Sequence, residues 1–363
     1  MAFQSIFLSF LPSNQYMHIP DGYLSPVTCA AFFILMLPFW IRGVRSLRQK
    51  MTSRNVPLIA LLSAFSFVIM MFNVPVPGGT TAHAVGGALI AVILGPEIAT
   101  VCVSMALVIQ CLFFGDGGIL SFGANCFNMG VVLPYISYFI YQAIAGKTDI
   151  TSRRRVWGSA IGGWTGLTVA SFCAGCEFGI QPALFHTASG TPLYAPYPLA
   201  VSIPAMVIPH AAVASVAEAL LTALVVAYLQ RTNKAALEMP GQGAWSGETT
   251  RRLTRLRVLW ILLPVLIILT PLGLLAPGTA WGEWGADELT QRGLAFVPQG
   301  FASLQGLWGA PMKDYDLPAL GNSNLGYILS AIVGVALIAL VAWLLTTALT
   351  ARPAPEAPDK EKS

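Results

Sequence analysis

Long apolar runs alternate with short polar and basic ones along the whole chain. Runs without Lys or Arg occupy about 26–41, 57–73, 84–95, 97–114, 124–145, 156–176, 198–229, 258–276 and 325–350. A helix needs ~20 mostly apolar residues to cross a bilayer, and most of these runs approach that length. The third and fourth nearly fuse and are split by Gly95-Pro96-Glu97. Backbone polar groups in lipid must be satisfied within their own segment, which makes helices the default form. The two-residue alternation of a membrane barrel is absent. The pattern therefore predicts an all-α polytopic membrane protein with about nine transmembrane helices.

The basic residues supply the orientation. Cytoplasmic loops of membrane proteins carry an excess of Lys and Arg. Basic clusters follow the first run (Arg42 to Arg54), the fifth (Lys147 to Arg155), the seventh (Arg231 to Arg257) and the ninth (Arg352, Lys360, Lys362). With these four stretches inside, 18 of the 20 Lys and Arg are cytoplasmic, and only Arg292 and Lys313 lie outside. Nine helices satisfy this without an inversion, which puts the N-terminus outside and the C-terminus in the cytoplasm. Residues 231–257 read as a cytoplasmic linker, 277–324 as a long outer loop with five acidic residues, and 351–363 as a disordered Pro-, Glu- and Lys-rich tail.

Composition agrees with a bilayer location. Of 363 residues, 55% are apolar and 10% charged, with mean hydropathy +0.69; soluble domains are about 25% charged, so a water-soluble enzyme is excluded. The net charge of +4 is dispersed and points to no nucleic-acid partner. The six cysteines sit in or beside apolar runs and form no secreted disulfide framework. Gly158, Gly162 and Gly166 make a small-residue stripe suited to close helix packing.

Candidate chemistry is sparse. Gly146-Lys147-Thr148 lacks the upstream glycine of a phosphate loop, because Tyr141 stands there on a helix; the chain has no ATP site. Cys173-Ala-Gly-Cys176 is half a zinc knuckle without a partner. His186 lies in an outer loop with no evident partner. His210 and Glu218 are eight residues apart, ~80° around one helix, and ionisable groups inside a membrane are functional suspects, although polar packing contacts explain them equally well. His83 ends Asn73-Val-Pro-Val-Pro-Gly-Gly-Thr-Thr-Ala-His83, whose prolines and glycines favour an ordered, non-helical approach. His18 stands in Met17-His-Ile-Pro-Asp-Gly-Tyr-Leu-Ser-Pro26. If Met17 is the first residue of the mature chain, its amine, the His18 amide and the His18 imidazole form adjacent chelate rings. Tetragonal nitrogen sites of that kind suit Ni(II) or Cu(II), and His83 could fill the fourth corner.

The segment from Met17 to Pro26 resembles the start of the CbiM/NikM family, the substrate-capture components of energy-coupling-factor importers for cobalt and nickel. The resemblance continues through Pro75 to His83, through Gln110-Cys-Leu-Phe-Phe-Gly-Asp116-Gly-Gly, through Gly123-Ala-Asn125-Cys-Phe-Asn128-Met129, and in His210 with Glu218. It covers about residues 17–230, a seven-helix metal-capture domain. Residues 258–350 resemble the NikN-like two-helix region fused on in some members, marked by Thr270 to Trp284 and by Leu325-Gly-Tyr-Ile-Leu-Ser.

The resemblance implies a metal held by Met17, His18 and His83, with Ni²⁺ or Co²⁺ as transported substrate. Asp116, Asn125, Asn128, His210 and Glu218 are candidates to support or gate the site. The implied partners are a transmembrane coupling (T) subunit and cytoplasmic ATPase (A) subunits, with membrane lipid around the chain in the cell inner membrane. The basic inner loops and the glycine stripe are candidate contacts to those partners. Residues 1–16 have no basic n-region and read as an upstream extension, with the start expected at Met17. The order of affinities favours Ni²⁺ over Co²⁺, and the fused C-terminal region resembles the nickel-type fusion more than the separate cobalt small subunit. Two rivals are an ion-coupled secondary transporter and an intramembrane hydrolase. No inverted repeat supports the first, and no nucleophile stands beside His210 and Glu218 for the second.

Overall fold

The computed structural model describes residues 18–50, 56–76, 80–237, 257–276, 279–291 and 293–350. Residues 1–16, Met17, most of the 231–257 connection and the 351–363 tail lie outside the described residues.

A helix falls on each of the nine apolar runs. These are α1 (Pro26–Lys50), α2 (Val56–Met70), α3 (Gly87–Leu94), α4 (Pro96–Phe114), α5 (122–145), α6 (Arg153–Leu184), α7 (Leu199–Thr232), α8 (Arg257–Leu269) and, after two short helices α9 (Ala286–Gln291) and α10 (Gln299–Leu304), α11 (Ser323–Thr350). Four of them (α1, α4, α7 and α11) are long and apolar enough to cross a membrane by length and composition. The nine runs are not nine equal spans. α3 has eight residues and rises only about 12 Å. Gly95, with φ of +90°, breaks α3 from α4, and Pro96 then begins α4, which is where proline costs a helix nothing.

The chain is also not purely helical. Val74–Val76 (β1) and Thr80–Ala82 (β2) form a short antiparallel hairpin, with Val74 opposite Ala82. The β-branched Val and Thr positions favour extended backbone, and Pro75 and Pro77 cannot continue α2.

α2, α3 and α4 form the centre. Twelve of the fifteen residues of α2 and all eight of α3 are buried, so these helices are apolar all round. α8 and α11 both pack on α2. The Tyr327 hydroxyl of α11 donates to the Met71 carbonyl (3.0 Å). Large apolar side chains on α1, α6, α7, α8 and α11 remain exposed, among them Ile34, Trp157, Leu224, Ile261 and Trp343. In an aqueous setting such a belt is a liability; against lipid tails it is the expected surface.

The glycine stripe of α6 is spent inside the chain. A Cβ at Gly162 would lie 2.5 Å from the Ser137 carbonyl oxygen, and one at Gly166 would lie 2.6 Å from that of Leu133. The stripe therefore seats α6 on α5, which corrects the expectation that it contacts a partner subunit.

Three helices contain a widened π turn: Gln110–Phe114 in α4, Cys126–Val132 in α5 and His210–Ala214 in α7. In α7 the turn follows Pro209, which has no N–H to give the preceding turn. Such turns concentrate at functional sites, and two of these three border the cavity described next.

Candidate metal site

One end of the bundle carries the segments 18–25, 71–76, 80–86, 115–121, 185–198, 279–291 and 293–322. The first is a strap tied down along its length. Asn125, on α5, grips both sides of Ile19: its Oδ1 accepts from the Ile19 amide and its Nδ2 donates to the Ile19 carbonyl, each at 3.1 Å. Asp21 accepts from the amides of Ile119 (3.0 Å), Leu120 (2.8 Å) and Ser121 (3.3 Å). Burial raises the Asp21 carboxyl above its usual range, and these amides pull it back. Gln181 on α6 accepts from the Ser25 amide at 3.0 Å.

Gly117 and Gly118 let the strap approach. Gly117 has φ of +84°, and a Cβ there would sit 3.0 Å from the His18 Cβ; at Gly118 it would sit 2.0 Å from the Asp21 carboxylate.

This scaffolding buries His18 (2% exposed) against His83 (8% exposed). The two rings meet edge to face with centroids 5.3 Å apart. With metal–nitrogen bonds of ~2.0–2.1 Å, two imidazole centres on one metal lie about 4.5 Å apart at adjacent corners and about 6.5 Å at opposite ones. The observed spacing falls between these limits. His83 Nδ1 lies 3.1 Å from the Ala84 carbonyl. A carbonyl only accepts, so Nδ1 is the donor in this contact.

His18 Nε2 is buried with no hydrogen-bond partner, and its Nδ1 lies 3.1 Å from Asp116 Oδ1 in a contact not aligned as a hydrogen bond. A buried polar nitrogen left without a partner is costly and marks a place for a ligand. Among the described residues, no three His, Cys, Asp or Glu side chains converge as a ligand set. The side chains alone thus offer two imidazoles.

Asp116 links this pair to the C-terminal part of the chain. Its Oδ2 accepts from the Tyr315 hydroxyl at 2.6 Å, which in turn accepts from Gln110 Nε2 at 3.1 Å. Tyr315 is fully buried and stacked on Phe114 (4.6 Å, 12°). Burial, then the Asp116 charge, push its phenol well above the usual value, so it is a neutral donor. Asp314 and Tyr315 both adopt φ of 58°, a left-handed conformation that costs a non-glycine residue ~1–2 kcal/mol; packing of the ring holds it there.

The remaining sequence candidates have these hydrogen-bond partners. Asn128 Nδ2 donates to Glu177 Oε2 at 2.9 Å, joining α5 to α6. His210 Nδ1 lies 2.7 Å from the Met206 carbonyl one turn earlier. Glu218 does not meet His210. Its carboxylate accepts from the amides of Val85 (2.8 Å), Gly86 (2.7 Å) and Ala88 (3.0 Å). These are the unpaired donors at the start of α3, so Glu218 caps a helix that begins inside the bundle. It thereby fixes the turn two residues beyond His83. His186 is exposed and bonds within its own loop, far from this constellation, and all six cysteines are free.

His18, His83, Asn125, Asn128 and His210 line one cavity between α5, α6 and α7. Over it lies the stretch made of residues 279–291 and 293–322. The Tyr23 hydroxyl donates to the Trp284 carbonyl (2.9 Å), the Trp308 indole to the Leu112 carbonyl (2.8 Å), and the Met312 amide to the Phe113 carbonyl (2.9 Å). Tyr315 and Glu283 come from this segment and were not singled out by spacing. The acidic content of the loop was the one available signal.

A lipid-facing bundle with a capped polar pocket at one end defines a membrane transport component rather than an enzyme, and comparison with known proteins agrees. Residues 18–236 match CbiM, described as the cobalt uptake substrate-specific transmembrane region, and residues 255–351 match the PDGLE domain. The chain belongs to the CbiM family, with a NikN-like PDGLE region joined to it. It is 48% identical over 336 residues to a fused nickel transport protein of Rhodobacter capsulatus, covering 89% of this chain and 95% of that one. It is 43% identical to a probable fused nickel transport protein of Lactiplantibacillus plantarum, covering 90% and 96%. A crystal structure of a truncated transition metal transporter superposes with TM-score 0.56 at 50% identity, covering 59% of this chain and 99% of that one.

Proposed function

We propose that the chain is the substrate-capture subunit of an energy-coupling-factor importer, taking Ni²⁺ at the outer face for delivery inward. The observation that carries this reading is the buried His18–His83 pair, 5.3 Å between ring centres, with a partnerless imidazole nitrogen. Two imidazoles are too few for a first-row ion, and the missing donors in this reading are main-chain nitrogens: the His18 amide and the amine of Met17. That set requires the mature chain to begin at Met17, which mass spectrometry of the N-terminal peptide tests.

Nickel is favoured over cobalt by the affinity order of nitrogen sites and by the nickel transport relatives. The cobalt description of the family supports Co²⁺ as the second reading, and competition of the two ions for the purified protein separates them. In this scheme residues 17–230 form the capture domain and 258–350 the fused region. The N-terminus is outside the cell inner membrane and the C-terminus cytoplasmic; α3, with its buried approach segment, makes one of nine membrane passages. Non-helical backbone at that depth is tolerated because it is buried in protein. A T subunit and ATPase A subunits supply the energy.

His18→Ala and His83→Ala should each abolish metal binding and uptake while membrane insertion is retained. Wild-type binding by both variants would end this reading. Uptake independent of the ATPases would instead favour an ion-coupled carrier.

A further inference from the structure

We infer that Glu283, in the outer segment, is a relay carboxylate: it receives the divalent cation at a vestibule on the outer end and passes it to the His18–His83 pair. The inference rests on the capture reading above and adds a residue from the fused region to the cation's path.

Two neighbouring cavities carry it. The inner one holds both histidines. The outer one lies beside Asp21, Gly117 and Lys313 and reaches the surface through the exposed Gln305, Leu307 and Trp308. Glu283 is the residue common to both walls. It is 7% exposed, and its Oε2 is buried without a hydrogen-bond partner. An ionisable oxygen in that position is costly unless something pairs with it. Bracing the loop is the role of the half-buried Glu288, whose carboxylate accepts from the Thr279 hydroxyl and the Gly285 amide. Glu283 accepts no such bonds at Oε2.

The local backbone is built to present it. The Glu283 amide donates to the Ala280 carbonyl at 3.2 Å, closing a turn in which Gly282 has φ of +82°. A Cβ at Gly282 would lie 3.0 Å from the Phe178 ring, so only glycine lets the turn sit this close to α6. Trp281 packs on Phe178 and Tyr197, and Tyr23 holds the Trp284 carbonyl. The turn is thus pinned on both sides of the carboxylate.

The chemistry fits a hand-over. Oxygen donors bind first-row divalent ions more weakly than imidazole and amide nitrogen. An ion arriving with its water shell meets a carboxylate first and stronger nitrogen donors second. Glu283 does not complete a three-side-chain site with the two histidines, so it is a station on the way and not part of the final ligand set. Asp21 is a poorer candidate because three amides already occupy its oxygens. Lys313, on the far wall, disfavours dwell in the vestibule.

The test uses full-length protein in detergent and, separately, with its coupling and ATPase partners. Loading of radioactive nickel is followed by rapid filtration, alongside equilibrium occupancy and melting temperature. Burial and the Asp116 charge hold the Glu283 proton more tightly than usual, so Glu283 meets the ion by exchanging that proton for it. Glu283→Gln, which cannot, should load about tenfold or more slowly, the range for losing a group that supports a metal site, with occupancy at saturation and melting temperature kept. Glu283→Asp should recover part of the rate. A wild-type loading rate in E283Q overturns the inference. Loss of saturating occupancy with unchanged melting also overturns it, because Glu283 would then be a permanent ligand. His83→Ala is the separate control: retained occupancy there overturns the capture reading, whatever E283Q does.

Discussion

Replacing Glu218 by Ala removes the acceptor for three amides at once, those of Val85, Gly86 and Ala88. A buried donor left unsatisfied costs ~1–3 kcal/mol, so three give roughly 3–9 kcal/mol. The lower part of that range, about 4 kcal/mol, is expected, because Val85 lines the cavity and relaxation toward it admits water. The interaction of the carboxylate with the start of a helix adds ~0.3–1 kcal/mol. For a domain of this size each kcal/mol shifts Tm by about 2–4 °C, so a total near 4–5 kcal/mol puts E218A about 9–20 °C below the wild type. Glu218→Gln keeps one acceptor oxygen for Val85 and Gly86 but turns an amide N–H toward Ala88, and should lose about half as much. Tryptophan fluorescence during thermal unfolding in detergent reads both, with nickel occupancy measured on the same samples. His83 precedes the capped turn by two residues, so occupancy should fall with Tm. If E218A melts and binds as the wild type does, the cap is not what holds α3 and the site.

Tyr315→Phe removes the hydroxyl that Asp116 accepts from, while keeping the ring on Phe114. Nickel affinity should weaken about 10–100-fold, as for loss of an outer-shell partner, measured by equilibrium binding. Gly162→Leu should push α6 off α5 and cost ~1–3 kcal/mol or more, read as lost yield and lower Tm. Asp314 is raised to about 6 by burial, with Asp116 and Asp316 adding to it and Lys313 opposing. The folded carboxyl therefore binds its proton more tightly than the unfolded one. Its contribution to docking of 279–322 is complete below about pH 4 and is lost as pH rises through about 6. Hydrogen exchange of that segment should show greater protection at pH 5 than at pH 7.5, and Asp314→Asn should flatten the difference.

The nine apolar runs each hold a helix because burial from water, whether in protein or in lipid, writes itself into consecutive residues. The strap was marked in the sequence only by the residues that carry the family resemblance, although Gly22 (φ 95°) and Gly117 (φ 84°) hold backbone geometry that glycine alone takes easily. Asn125, named from the sequence only as a candidate to support or gate the site, bonds both sides of Ile19 in the strap. What escaped were long-range pairings. Glu218 suggested a partner eight residues away on its own helix, yet it bonds amides about 130 residues earlier, and the π turn at His210–Ala214 changes the facing of the two groups. Tyr315 and Glu283 stand in a loop without periodicity, and their value comes from packing against Asp116, Phe114 and α6, which no spacing rule encodes. The eight-residue α3 was hidden because a short buried helix and a spanning one have the same composition.

The packing of α8 and α11 on α2 bears on how the fused region could be separated. Tyr327 and Gly273 both approach the Met71 carbonyl, and Gly334 lies against Phe67, so this contact has the character of a domain core cut in half, as in obligate complexes. The covalent connection through 238–256 then chiefly raises local concentration and fixes one PDGLE region per CbiM region irrespective of gene dosage. A chain cut in that connection should reassemble when its halves are produced together. Titrating the second half against the first would turn an architectural constant into an adjustable stoichiometry.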